Sequence, residues 1–169
     1  MAVLSYRPPG YWDVANAVKS ILDAQKTAIQ DTLADESVLM THGTIDIHLG
    51  HYKTIAHWPV VEIVGTTEER QWGAQPYIRD LRFPYRIFCG VQNIDRENKD
   101  HDVSILGACV TAVLDSRENK NFTFTVRGTT MSVYDSGIET VGLVTLNQGG
   151  LYALEISWFG RVWYQIPVA

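Results

Sequence analysis

The sequence predicts a single α+β domain: a mostly antiparallel β-sheet with two main helices packed on one face, preceded by an extended N-terminal arm. Three observations lead there. Two segments carry apolar residues at helical spacing, and the remainder alternates at the two-residue period of strands. The strand-like segments come in runs rather than singly between helices, which separates α+β from βαβ architecture. The chain has 169 residues, 46% hydrophobic and 20% charged, the size and composition of one packed core.

Residues 1–12 form the arm. Pro8, Pro9 and Gly10 oppose regular structure, while Tyr6, Tyr11 and Trp12 make the arm adhesive. The domain spans 13–169. Asp13 caps the first helix, whose inward stripe is Val14, Val18, Ile21, Leu22, Ile29 and Leu33 and whose end falls near Asp35. In "GTIDIHLGHYKTIAHWPVVEIVG", Ile45, Ile47 and Leu49 alternate as a half-buried strand, and a second short strand enters through Pro59. Residues 66–76 have no period and read as an exposed loop. A long strand follows, with Phe83, Tyr85, Ile87 and Cys89 on one face; Pro84 places it at an edge or kinks it.

"DRENKDHD" reads as a polar connection into a second helix capped by Asp100 or Asp102. Its stripe is Val103, Leu106, Val110, Val113 and Leu114, with Gly107 permitting a close approach. "FTFTVRG" and "MSVYD" read as short strands. "TVGLVTLN" and "LYALEISWFGRVWYQI" flank the turn signal Gln148-Gly149-Gly150. On a two-residue period Tyr152, Leu154, Ile156 and Trp158 point one way, as in a central core strand, with a bend or bulge expected past Gly160.

The formal net charge of −5 and pI near 5.4 argue against a dedicated nucleic-acid surface, which needs clustered Lys and Arg. No signal peptide or membrane-spanning window is visible, so a cytosolic compartment is the simplest expectation. Cys89 and Cys109 read as small buried hydrophobes. The "NFT" sequon at Asn121 carries little weight without a secretory signal.

His42, His48, His51 and His57, with Asp46 among them, are the most tempting chemistry, because zinc takes His and carboxylate ligands. Their spacing matches no helical ligand pair, and the simpler reading is a polar strand face and its loop. No GxSxG elbow, no phosphate-binding loop and no Cys/His motif is present; Glu68 and Glu69 lie in the expected loop. We therefore expect no catalytic, cofactor or metal site. Aromatics outside the core mark protein contacts, which makes Tyr6, Tyr11, Trp12 and Trp72 interface candidates, with Arg161 able to stack on a ring.

The order of elements, with "RDLRFPYRIFCGV", then "DHDVSILGACVTAVLD", then a closing hairpin ending in an aromatic strand, resembles the tail terminator (tail completion) proteins of tailed bacteriophages over residues 13–166. The arm and the longer 40–60 region depart from the smaller members. The resemblance implies a virion structural protein assembled in the host cytoplasm as a homo-oligomer, a hexameric ring. Such a ring stops tube polymerisation at the head-proximal end and contacts the tail tube protein and the head connector, with DNA passing through its lumen unbound. The alternatives are another neck or head-completion protein or, from a different class, a small soluble metal-dependent enzyme using the His42–His57 cluster.

Overall fold

The computed structural model describes residues 7–50, 55, 57–72, 77–92, 96–146 and 151–165. Helices α1 (Tyr11–Ala24) and α2 (Lys26–Asp35) are followed by a 3₁₀ turn at Thr41–Gly43 and strands β1 (Asp46–Leu49), β2 (Val60–Gly65), β3 (Glu69–Trp72) and β4 (Ile78–Gly90). Helix α3 (Arg96–Asp115) leads into β5 (Thr123–Val126), β6 (Thr129–Leu146) and β7 (Leu151–Gln165). This is an α+β fold built on a sheet of order β1-β2-β4-β7-β6-β5, with β3 also paired to β4. Every pairing is antiparallel except β1 with β2, which is parallel.

Strand β7 lies at the centre. It pairs with β4 without interruption from Gly90↔Ala153 to Ile78↔Gln165, and with β6 from Leu146↔Leu151 to Val133↔Val162. Its inward residues Leu154, Ile156, Trp158 and Val162 are buried. The expected bulge past Gly160 is absent from β7; both register shifts belong to β6, between Val133 and Asp135 and between Ile138 and Thr140. Gly160 serves another purpose. A Cβ there would lie 2.8 Å from the Trp158 ring, so the missing side chain makes room for the indole on its own strand.

The predicted edge position of the long strand is corrected. β4 is paired on both sides, and Pro84 sits where the partner on one side changes from β2 to β3. The Pro84 carbonyl accepts from the Thr66 backbone N–H at 3.1 Å and from the Thr66 hydroxyl at 3.0 Å. A strand residue directs its N–H and C=O to the same edge. The donor that Pro84 lacks therefore faces the interruption at 66–68, where no ladder bond is lost. The 66–76 loop reading is likewise corrected at Glu69–Trp72, which pairs with Arg82–Arg79. An edge strand held by backbone bonds needs no apolar period. Residues 73–76 and the turn Gln148–Gly150 lie outside the described residues.

The first helical segment is two helices. Gln25 leaves helical geometry (φ −100°, ψ 5°), and the break turns Ile29 and Leu33 inward alongside Val14, Val18 and Leu22. Gly10, not Asp13, is the N-cap of α1; Asp13 lies one turn in. α3 begins at Arg96, so Asp100 and Asp102 are inside the helix rather than capping it. Charged residues with ordinary helix propensity extend it outward without an apolar stripe. Arg127 and Gly128, at φ 48° and 80°, close a tight β5–β6 turn that the sequence reading passed over. The strand-like pieces on either side of residue 135 are one strand, β6.

The stripe Val103, Leu106, Val110 and Leu114 is buried, and Gly107 presses α3 onto β7: a Cβ there would meet Leu154 Cδ2 at 2.2 Å. Glycine-to-alanine in a helix interior ordinarily gains about 1 kcal/mol, whereas overpacking costs about 1–3 kcal/mol. Gly107→Ala is expected to lower stability in denaturant unfolding, and the same substitution to raise it in a Leu154→Ala background. A change of the same sign in both backgrounds would contradict this contact.

Candidate functional site

The interface candidates fall on two surfaces. The first is the N-terminal corner of α1. The Asp13 carboxylate accepts from the Gly10 N–H at 2.8 Å and receives both guanidinium nitrogens of Arg7, at 2.6 and 2.7 Å. This clamp ties residues 7–10 to the helix, so the part of the expected arm that is described is anchored. Burial opposes ionisation of Asp13, but Arg7 and the Gly10 N–H outweigh it and leave the carboxyl below its ordinary value. Tyr11 and Trp12 occupy the first turn of α1 rather than a free arm. They remain 51% and 53% exposed, with their rings edge to face at 6.4 Å.

The Tyr11 ring lies over Gly65, where a Cβ would approach it to 2.7 Å, and the buried Tyr85 hydroxyl donates to the Tyr11 carbonyl. Burial pushes the Tyr85 phenol up, so it stays a donor. Beside these rings a groove of about 180 Å³ is lined by Ala15, Leu49, Ile63 and Gly65. Tyr6 lies outside the described residues, and so does the Trp72 side chain; the Trp72 backbone pairs with Arg79.

The second surface is the face of the sheet turned away from the helices. Arg161 donates to Asp80 at 2.6 Å, lies 3.9 Å from Asp135, and holds its guanidinium carbon 5.8 Å from the centre of the Tyr134 ring. The expected aromatic neighbour of Arg161 is thus Tyr134, whose hydroxyl donates to Asp80 at 2.8 Å. Burial, then the Asp80 hydrogen bond, raise the Tyr134 phenol above its ordinary value. Tyr134 packs tilted against Trp163, ring centres 4.4 Å apart, and Trp163 is 61% exposed. Trp163 was not singled out from the sequence, although carrying the two-residue alternation past Gly160 places it outward. Farther along the face, Arg82 pairs with Glu69 and Glu139 and covers Phe159 at 4.9 Å, and Arg86 lies 3.7 Å from Glu155.

The histidines divide. His42 and His57 meet edge to face at 5.4 Å, whereas His48 Nε2 faces Asp46 Oδ2 at 3.6 Å on β1. His51 lies outside the described residues. Among the described residues no three His, Cys, Asp or Glu side chains are grouped to hold a metal ion. Cys89 is buried and Cys109 borders a groove of about 420 Å³ between α2 and α3; burial raises both thiols. Among the described residues no helix is long and apolar enough to cross a membrane.

No protein-family model matches this chain, and no curated protein matches it in sequence. The geometry itself offers docking chemistry: exposed indole and phenol rings on rigid elements, flanked by ion pairs.

A carboxylate whose pKa is lowered on folding adds stability above its unfolded pKa, and that stability is lost as pH falls through the folded value. Asp13→Asn should therefore lower stability at pH 7, by about 1 kcal/mol as for other helix-terminal acceptors. The gap between wild type and variant should close as pH drops below the usual carboxylate range. Thermal unfolding of both proteins across pH 2–7 checks this, and a gap independent of pH would refute it.

Proposed function

We propose that this chain is a virion structural protein of a tailed bacteriophage, a tail terminator acting as a ring at the head-proximal end of the tail. The observation that carries the reading is the placement of its exposed aromatics. Tyr11 and Trp12 stand at the start of α1 on the helix side of the molecule, and Trp163 stands on the opposite face of the sheet. A closed ring needs a heterologous contact, in which one surface of a subunit fits a different surface of its neighbour. Rigid aromatic anchors on two distinct surfaces supply such a pair, and Trp and Tyr dominate interface energetics.

Charge supports the same reading. The subunit is acidic overall, and on the outward sheet face Arg82, Arg86 and Arg161 are each engaged by carboxylates. Guanidinium groups already paired hold phosphate weakly, which suits a subunit of a ring that DNA must slide through. The order of elements that carries the family resemblance, a leading helical segment, a long arginine-bearing strand, a middle helix and a closing hairpin, is retained in the fold.

Light scattering of the purified protein should give a mass of six subunits or a whole multiple of six. Trp12→Ala and Trp163→Ala should each weaken that assembly while leaving the circular dichroism unchanged. In the phage, loss of the protein should give tails of uncontrolled length or tails that fail to join heads. Normal-length tails attached to filled heads in the null mutant would overturn the terminator role.

A further inference from the structure

Strand β6 is longer than the partners on its second edge. One edge pairs with β7 from Val133 to Leu146; on the other, β5 pairs only with Thr129–Ser132. The chain entering β5 continues the cover briefly, with the Phe122 carbonyl accepting from the Val133 N–H at 2.8 Å and the Lys120 carbonyl from the Ser136 hydroxyl at 2.7 Å. Beyond Ser136, nothing among the described residues pairs with that edge.

Exposed strand edges are ordinarily blunted by lysine, proline, inward charge or a bulge. The stretch Thr140–Leu146, "TVGLVTL", has no charge and no proline, and both β6 register shifts occur before it. The nearest charge, Glu139, is held by Arg82. Val141 and Leu143 point to the helix side, opposite Ile156 and Leu154, yet each is 49% exposed. An uncharged edge carrying two half-exposed aliphatic side chains is an acceptor for another strand.

We propose that the free edge of β6 is covered by the same strand of a second copy, paired antiparallel about Gly142. The other strands with an open side, β1, β3 and β5, are four residues each, and β1 and β3 carry Asp46, Glu69 and Arg70. Among the described strands with an open side, only β6 matches β6 in length and in lack of charge. Pairing about Gly142 sets Val141 of each copy beside Leu143 of the other on one face, a self-complementary apolar patch. It also keeps the two Glu139 carboxylates far apart, so no like charges oppose each other. The pairing does not rest on the terminator reading, because it leaves Tyr11, Trp12 and Trp163 free for other contacts.

A Cβ at Gly142 meets open space, so cysteine is tolerated there. Opposed Cβ atoms across antiparallel strands lie about 4.5–5.5 Å apart, within range of a disulfide once the strands adjust. Gly142→Cys is expected to form a covalent dimer on mild oxidation, read on a non-reducing gel against the wild-type chain with its native Cys89 and Cys109. Thr140→Cys, displaced by about 13 Å from its own copy at 3.3 Å per residue, should cross-link far less. Leu143→Lys should remove the pair from the light-scattering mass distribution with the circular dichroism unchanged. Gly142→Cys that stays monomeric, or that cross-links no faster than Thr140→Cys, overturns the proposal. An assembly of undiminished mass in Leu143→Lys overturns it too, and leaves the ring reading standing.

Discussion

Strand β7 is hydrogen-bonded on both edges along nearly its whole length, and its inward side chains carry the helical layer. That double pairing sets everything around it. Leu154 meets the notch at Gly107 and so fixes how closely α3 approaches the sheet. The Trp158 ring lies over Gly160 and stacks at 6.4 Å against Phe122, which leads into β5. The same uninterrupted register with β4 brings Arg161 within reach of Asp80 and sets Phe159 beneath Arg82. Inner packing and outer charge arrangement are two readings of one strand.

Magnitudes decide how the outer face is understood. Exposed ion pairs contribute about 0–1 kcal/mol each, so the pairs around Arg82 and Arg86 add little to stability beside the buried core. Their effect is to occupy the guanidinium groups and to hold the sheet surface in a defined pattern of charge. The Arg161–Asp80–Tyr134 group is less exposed and shares hydrogen bonds, which orients the Tyr134 ring and the Trp163 indole packed against it. An exposed indole held by its neighbours loses little side-chain freedom when a partner covers it.

Alternation and helical spacing made the core legible: the stripes of α1 and α3, the buried face of β4 and the central position of the closing strand were all readable. Local rules failed where a tertiary partner decides. Pro84 signals an edge in isolation, but the interruption between β2 and β3 absorbs its missing donor. Glu69–Trp72 has no period because backbone pairing to β4, rather than burial, holds it. The parallel β1–β2 pair leaves no local signature at all. Of the surface residues, Tyr11 and Trp12 were found because aromatics near a Pro-Pro-Gly stretch draw notice. Trp163 was hidden among core aromatics by the expectation of a bulge at Gly160.

The central place of β7 also sets an order of events. Strands β4 and β6 share no backbone pairing; in the sheet they are joined only through a segment made after both, with Gly90 facing Ala153 and Ile78 facing Gln165. While the nascent chain is still short of residue 151, both strands have a bare flank, and α3 lacks the Leu154 side chain that fits against Gly107. Folding is therefore dominated by long-range contacts and is intrinsically slow. Until β7 threads between them, the half-made sheet exposes the edges by which unfinished chains stick to one another.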